Sequence, residues 1–306
     1  MKKLILVDGN SIFHRAYHAL PPMKDENGES VQAVLGFCSM LINVLLKEAP
    51  DYLCVCFDKK GKTFRHEEYA EYKGTRVKGP DDLYTQFPGA KEFLESFSVP
   101  QFELEGFEAD DLIATLATQA EKHSDLMTLI LTGDRDAIQL VSEKVHVLAP
   151  IRGVSEMIEF DDKTVREKYE LSPGQMADFK GLFGDNSDNI KGVAGVGKKT
   201  AQKLLSEYGS LENIYEHIED FKGALKEKLI SGKENAFMSK RIGTLVKDSP
   251  ISLDLEKSKI YEFDENSLKA FLEKWKFPSL KKRMETMTKL YEKKKNQEKF
   301  EQKSLF

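Results

Sequence analysis

Nine acidic residues are placed where they could act together on a charged substrate. They end apolar runs, begin a predicted helix or lie in short polar turns: Asp8, Asp58, Glu108, Asp110, Asp111, Asp134, Asp136, Asp185 and Asp188. Ligands of open α/β folds bind at the carboxyl ends of the strands, so acids at those ends should converge. Converging carboxylates repel each other strongly unless cations neutralise them. Oxygen ligands without neighbouring His or Cys favour Mg²⁺ or Mn²⁺.

Each acidic motif also has a simpler explanation when it is taken alone. Acids in the first turn of a helix are favoured by the helix dipole, which could account for Glu108 to Asp111. Asp134 and Asp136 could form a solvated turn, and Asp185 and Asp188 could belong to an ordinary polar loop. The combination favours two metal ions about 4 Å apart, which can clamp the attacking and leaving oxygens of a phosphodiester.

The elements that must position these acids alternate between strands and helices. Apolar runs predict strands at 4–7, 52–57, 126–132 and 145–149. Helical spacing predicts helices at 11–20, 31–48 and 108–121, with a short helix from residue 134. Such alternation predicts an α/β fold with a mostly parallel central sheet flanked by helices. From about residue 162 the chain reads as helical, with helices at 198–208, 211–218, 222–230, 234–246 and 267–275.

The bulk composition excludes several classes of protein. The chain has 306 residues, of which 40% are apolar and 32% charged, which is enough to build a core. Three Cys cannot form a disulfide framework, so we expect reduced, buried thiols in a cytoplasmic protein. No apolar run is long enough to span a membrane. We also expect a monomer.

The segment 59–98 is a basic insertion between a strand and a helix. From Lys59 to Lys78, seven basic residues face three acidic ones, although the whole chain has a formal net charge of −5. An acidic protein with a basic segment can still bind phosphates if its acids are clustered and compensated by metal ions. We expect this insertion to be less apolar and partly mobile.

A glycine-rich stretch opens the helix predicted at 198–208. Its residues Gly192, Gly195 and Gly197 precede Lys198 and Lys199. The stretch is not a P-loop, because no Ser or Thr follows Lys198 and no strand directly precedes it. A glycine turn and an amide-rich helix start suit DNA contacts that do not depend on base sequence. A plain turn between two helices is the alternative.

Five motifs, in one order along residues 4–275, resemble the bacterial 5′ nucleases, the flap endonuclease family that includes the amino-terminal domain of DNA polymerase I. They are LVDGNSIFHRAYHAL, TFRHEEYAEYKGTR, GFEADDLIATLA, LTGDRDAIQLV and GLFGDNSDNIKGVAGVGKKTA. The resemblance implies a nuclease domain at 1–161 with a helical arch at about 59–98, and a helix-hairpin-helix region at 162–280. Because no polymerase sequence follows, we expect a free-standing member or an excised domain.

The resemblance also implies a role for each acidic position. A first metal ion would be held by Asp8, Asp58, Glu108, Asp110, Asp111 and Asp134, and a second, more weakly held, by Asp134, Asp136, Asp185 and Asp188. Lys73 and Arg76 would steer the scissile phosphate, Arg65 would add a phosphate contact, and Tyr72 would stack on the terminal base. The turn at Gly192, Gly195 and Gly197 would contact DNA with Lys198 and Lys199, and in this family it often holds K⁺.

The last five residues, in the charged tail 281–306, resemble the sliding-clamp-binding peptide of bacteria. Gln302, Leu305 and Phe306 match its anchor positions. A short motif recurs by chance, and a cloning remnant is a further alternative. We expect the tail after Leu280, rich in Lys and Glu, to fray or be disordered.

Three hypotheses remain for the function. The first is a metal-dependent 5′→3′ exonuclease and 5′-flap endonuclease that acts on DNA and RNA primers in the nucleoid. The second is a catalytically silent, structure-specific DNA-binding module, which the complete acid set disfavours. The third is a phosphohydrolase of small substrates, which would need neither the basic insertion nor the hairpin.

Overall fold

The computed structural model describes residues 1–261, 263 and 265–304. Its centre is a six-stranded sheet in the order β3-β2-β1-β4-β5-β6, parallel except for β6, which pairs antiparallel with β5. The strands are β1 Lys2–Asp8, β2 Tyr52–Cys56, β3 Gln101–Phe102, β4 Leu126–Leu131, β5 Val145–Arg152 and β6 Glu156–Phe160. The predicted fold class is confirmed. Strand β6 was missed, because its sequence, EMIEF, has acids at both flanks of a short apolar core.

Helices cover both faces of the sheet and form much of the C-terminal part of the chain. They are α1 Gly9–Ala19, α2 Gln32–Glu48, α3 Phe64–Glu68, α4 Asp81–Thr85, α5 Phe87–Ser96, α6 Ala109–Ala120, α7 Asp162–Tyr169, α8 Met176–Phe183, α9 Lys198–Tyr208, α10 Leu211–Glu216, α11 Gly223–Gly243, α12 Glu265–Trp275 and α13 Pro278–Ser304. A short 3₁₀ helix, Asp136–Leu140, follows β4. Among the described residues, no helix has both the length and the apolar content needed to cross a bilayer.

Separate apolar clusters occupy the two faces of the sheet. One joins β1, β2 and β4 to α1, α2, α5 and the C-terminal helices, and the other packs α6 against the opposite face. A third lies among the helices from α8 to α11. The predicted arch at 59–98 is therefore too long, because Phe93 and Leu94 of α5 belong to the first core.

Two predictions about the C-terminal helices are wrong. The helices expected at 222–230 and 234–246 are one helix, α11, which runs through the intervening residues without a break. The tail after Leu280 is helical rather than disordered, because Leu280, Met284, Met287 and Tyr291 form a buried stripe at helical spacing. The Tyr291 hydroxyl donates to the Leu45 carbonyl of α2 at 3.2 Å.

The predicted clamp-binding peptide cannot be placed in this fold. Leu305 and Phe306 lie outside the described residues, as does the side chain of Gln302. The peptide therefore stays a prediction from sequence.

Candidate metal centre and nucleic-acid interface

Five of the predicted metal ligands line one cavity at the carboxyl ends of the central strands. The cavity has a volume of about 310 Å³ and is lined by Asp8, Asp58, Glu108, Asp110 and Asp134, together with Lys73 and Arg76. These acids come from the ends of β1, β2 and β4 and from the start of α6. The topology thus brings together acids that are up to 126 residues apart in the sequence, between Asp8 and Asp134.

Asp8 is fixed at the centre of this cavity by both neighbouring segments. Its Oδ1 accepts from the Ser11 amide at 2.9 Å, which caps α1, and its Oδ2 accepts from the Thr132 hydroxyl at 2.7 Å. Gly9 must follow it, because a Cβ there would lie 2.1 Å from the Phe57 ring. Burial raises the pKa of Asp8 to about 7 in spite of these hydrogen bonds.

Asp110 presents a buried carboxylate oxygen whose surroundings suit a cation. Its Oδ1 is buried and, among the described residues, has no hydrogen-bond partner. Burial, followed by the charges of Asp134 and Asp8, raises the pKa of Asp110 well above its usual range. A buried acceptor without a donor is costly, and a cation would satisfy it. The oxygen-only donor set fits a hard divalent ion such as Mg²⁺ or Mn²⁺.

A second carboxylate cluster lies beside the first and consists of Asp136, Asp185 and Asp188. One oxygen from each lies within 4.8 Å of the others, a spacing that could hold a metal ion. Lys180 of α8 reaches into this cluster and contacts Asp136 and Asp185, the latter at 2.7 Å. Burial raises the pKa of Asp136 to about 7, although Lys180 opposes the shift.

The basic insertion is connected to both clusters by ion pairs. Lys73 Nζ lies 2.8 Å from Glu108 Oε1, and Arg76 lies 2.6 Å from Asp188. Lys73 also adopts a left-handed backbone conformation, with φ of 54°, and its amide donates to the Asp188 carbonyl at 3.0 Å. Such strain in a non-glycine residue persists only where its surroundings fix it. The two cationic side chains are thus held at the cavity.

Asp111 has a different role from the one the resemblance implied. It is fully buried, and both its oxygens accept from the Arg65 guanidinium, at 2.6 and 2.7 Å. One oxygen also accepts from the Val246 amide at 2.9 Å. Because its acceptor capacity is used within the protein, we remove Asp111 from the candidate metal ligands. The same pairing corrects Arg65, which is 1% exposed and cannot reach a phosphate.

Tyr72 is likewise placed differently from the expectation. Its side chain is buried, its ring meets that of His66, and its hydroxyl donates to Glu108 Oε2 at 3.0 Å. In this arrangement the ring has no free face for a nucleobase. The structure therefore makes Tyr72 a support for Glu108 rather than a stacking platform.

The glycine-rich turn presents most of its predicted DNA-contacting residues to solvent. Gly195, Gly197, Lys198 and Lys199 are exposed at the start of α9. Gly192 is buried instead, with φ of 60°, and a Cβ there would lie 2.4 Å from the Gly184 amide nitrogen. Gly192 is needed for close backbone packing, so its predicted contact with DNA is corrected.

Two polar residues of the site were missed in the sequence. Thr132 lies at the end of β4, where its hydroxyl donates to Asp8 and accepts from the Asp134 amide at 2.9 Å. Lys180 is the one basic residue in the run MADFKGLF, which also contains Asp178. A lysine in an apolar helix could have been noticed, but its partners are 44 and 5 residues away.

Two family descriptions match consecutive parts of the chain. The first, 5′-3′ exonuclease, N-terminal resolvase-like domain, matches residues 3–170. The second, 5′-3′ exonuclease, C-terminal SAM fold, matches residues 171–266.

Curated relatives include DNA polymerase I of two bacteria. The chain is 42% identical over 284 residues to that of Caldicellulosiruptor bescii, which covers 92% of this chain and 33% of the relative. It is 41% identical over 284 residues to that of Bacillus subtilis, which covers 92% of this chain and 32% of the relative. The chain thus spans about a third of the length of the curated relatives it matches.

Solved structures with the same fold include T5 D15 protein and the catalytic core of Rad2. T5 D15 protein co-crystallised with metal ions aligns with a TM-score of 0.66 and 20% identity, over 90% of this chain and 98% of that chain. T5 D15 flap endonuclease, in a pseudo-enzyme–product complex with DNA and metal ions, gives 0.65 and 20%, over 95% and 100%. The catalytic core of Rad2 with DNA substrate gives 0.55 and 19%, over 94% and 92%.

Proposed function

The chain belongs to the family of 5′-3′ exonucleases, and from that premise we propose that it is a divalent-metal-dependent nuclease that cleaves DNA at 5′ ends and at 5′ flaps. The observation that carries this proposal is the cavity in which five carboxylates face two cationic side chains. A silent binding module would have no use for the buried oxygen of Asp110, which has no hydrogen-bond donor within the described part of the chain. The whole-length relatives carry further regions, so their other activities are not assigned to this chain.

The geometry of the two clusters supports an assignment of the metal ligands. We propose Asp8, Asp58, Glu108, Asp110 and Asp134 for the first ion, and Asp136, Asp185 and Asp188, with Asp134 adjacent, for the second. Divalent ions held there would activate a water molecule as the nucleophile and would neutralise charge on the leaving oxygen. Mg²⁺ is the proposed ion because only oxygen ligands are offered.

The side chains around the clusters have their own parts in catalysis. Lys73 and Arg76 reach the cavity from the arch base, where they can hold the scissile phosphate against the carboxylates. Glu108 positions the Lys73 ammonium, and the Tyr72 hydroxyl fixes Glu108 in turn. Thr132 keeps Asp8 in place. Asp8 and Glu108 are thereby held in place by hydrogen bonds within the protein.

DNA is the proposed partner along two surfaces. The exposed amides and lysines at Gly195, Gly197, Lys198 and Lys199 suit the phosphates of a duplex, because a helix start favours anions. A larger cavity of about 930 Å³ beneath the arch, lined partly by Lys59, Lys60, Tyr84 and Phe87, suits the 5′ strand. RNA primers are proposed as further substrates.

The remaining proposals concern partners that sequence alone suggested. K⁺ at the hairpin turn would share the Gly195 carbonyl with Lys228 Nζ, which lies 3.2 Å away. We also propose action as a monomer, in the cytoplasm at the nucleoid, with the nuclease and hairpin regions as separate domains.

A labelled 5′-flap duplex tests the function directly. With Mg²⁺ we expect cleavage at the base of the flap, with EDTA none, and with Ca²⁺ binding without cleavage. Binding that persists in Mg²⁺ without any cleavage would favour the silent DNA-binding module. Cleavage of small phosphate esters in place of the flap would favour the phosphohydrolase.

Lys73→Ala is expected to slow single-turnover cleavage by about 10²-fold while weakening DNA binding far less. The reason is that its ammonium lies in the carboxylate cavity, 2.8 Å from Glu108 Oε1, where the reacting phosphate would bind. Quench-flow rates and fluorescence anisotropy with Ca²⁺ measure the two effects separately. The control is Lys60→Ala, which changes an exposed residue of the arch. It should change the cleavage rate and the DNA affinity by similar factors. Equal losses for Lys73→Ala would make that residue a binding contact only.

The proposed clamp peptide has its own test. Deletion of residues 302–306 is expected to abolish binding to a bacterial sliding clamp, because the Gln and the Leu-Phe anchor would be lost. Calorimetry measures the affinity, and cleavage of free flaps is the internal control and should not change. Clamp affinity that survives the deletion rules the peptide out.

A further inference from the structure

Lys180 is the one residue of the site that neither the sequence motifs nor the proposed mechanism uses. It lies in α8, its side chain is 13% exposed, and its ammonium contacts carboxylates of two different segments, Asp136 and Asp185. These are two of the three acids that could jointly hold the second metal ion. The ammonium therefore stands where that ion would be needed.

We propose that Lys180 is a built-in counter-ion of the second carboxylate cluster, which keeps Asp136 and Asp185 assembled without metal and weakens the binding of the second divalent ion. This inference rests on the proposed metal-dependent function and adds a regulatory element to the same site. It concerns a positioning residue, since Lys180 acts on the carboxylates rather than on the substrate.

The charges of the two clusters support this assignment. In the second cluster, three carboxylates face two cationic side chains, because Arg76 pairs with Asp188 and Lys180 with the other two. In the first cluster, Asp110 keeps an oxygen without a hydrogen-bond donor among the described residues. A divalent ion is thus attracted to the first cluster by uncompensated charge, and at the second it meets charge that is already largely balanced.

The position of Lys180 is fixed by the packing of two helices. Its aliphatic stem crosses α11 at Gly243, where a Cβ would lie 2.9 Å from Lys180 Cδ. The next residue, Gly181, lets the two helices approach, since a Cβ there would lie 3.0 Å from the Ala236 carbonyl oxygen. The stem has little freedom to swing into solvent. When an ion binds, the ammonium therefore remains nearby and repels it.

Lys240 provides a matched control on the neighbouring helix. Its ammonium also bridges two carboxylates, Asp178 and Glu212, each at 2.7 Å, and its side chain is 24% exposed. Those acids are not among the candidate metal ligands. Lys240→Met therefore removes a bridging ammonium without altering the charge of the second cluster.

The test is Mn²⁺ titration of the DNA-free protein by calorimetry, with bound ions counted by electron paramagnetic resonance. For the unmodified chain we expect one tighter and one weaker site. Lys180→Met should tighten the weaker site by about tenfold or more, Lys180→Arg should leave it unchanged, and Lys240→Met should change neither site. If Lys180→Met fails to fold, Lys180→Gln takes its place.

Thermal unfolding gives a second readout that does not need activity. Without metal, Lys180→Met should melt at a lower temperature than the unmodified chain, and Mn²⁺ should raise its melting temperature by more, because stabilisation grows with affinity. An unchanged or weakened second site in Lys180→Met overturns the inference. Absence of Mn²⁺ binding in every variant, including the unmodified chain, overturns the proposed metal-dependent function instead.

Discussion

Asp110→Asn is expected to reduce flap cleavage by about 10³-fold or more and, at the same time, to stabilise the metal-free protein. The loss follows because the amide cannot replace an anionic ligand of the first ion. The gain follows because the carboxylate is buried beside Asp134 and Asp8, and one of its oxygens accepts no hydrogen bond from the residues that the structure describes. Single-turnover assays measure the first effect and urea unfolding in EDTA the second.

The sign of the stability change follows from the direction of the pKa shift. Folding raises the pKa of Asp110 well above its usual value of 3.8, so the folded state binds this proton more tightly than the unfolded state. Stability is therefore lost as the pH rises from the unfolded pKa towards the folded one. We expect the Asn variant to be more stable than the unmodified chain near pH 8 and equally stable near pH 3. With saturating Mg²⁺, the unmodified chain should become the more stable of the two proteins.

Asp125→Asn is the matched control, because Asp125 is exposed and outside both clusters. It should leave cleavage and stability unchanged. If the metal-free Asp110→Asn protein is less stable than the unmodified chain at pH 8, the buried carboxylate does not destabilise the metal-free fold as predicted.

Arg65→Ala is expected to lower the free energy of unfolding by about 3–5 kcal/mol. It would leave Asp111 buried and unpaired, and it would also remove the donors to the Ile242 and Thr244 carbonyls, at 2.8 and 3.1 Å. Arg65 thus joins α3, α6 and the end of α11. Urea unfolding followed by circular dichroism measures the change.

Arg241→Ala provides the comparison for this second variant. Arg241 is 62% exposed and pairs with Glu68 on the surface, where an ion pair contributes about 1 kcal/mol or less. A small stability loss for Arg65→Ala together with weaker DNA binding would instead support the hypothesis that Arg65 contacts a phosphate.

The sequence was most informative where a pattern is local. Apolar runs that end in an acid predicted β1, β2 and β4, and the parallel arrangement then required Asp8, Asp58 and Asp134 to meet. Side-chain pairing between distant segments could not be read in this way. Asp111 lies among metal-ligand candidates in sequence, and only its contact with Arg65, 46 residues earlier, gives it a structural role.

The same limit explains the errors in the helical part. The tail was assigned to disorder from its content of Lys and Glu, although Leu280, Met284, Met287 and Tyr291 follow helical spacing. Whether such a stripe is buried depends on α2, more than 230 residues earlier, which supplies the surface for it. Lys180 shows the converse case, in which a residue without a motif is placed by packing beside two distant acids.

The position of β1 between β2 and β4 has a consequence for the order of folding. The hydrogen bond from Thr132 to Asp8 joins residues 124 apart in sequence. The parallel pairing of β1 with β4 spans a loop of similar length, and it forms only after the entropy cost of closing that loop has been overcome. Helices such as α2 can form within about a microsecond. During refolding, helical signal should therefore recover first, and Mn²⁺ affinity should appear only when β4 docks beside β1.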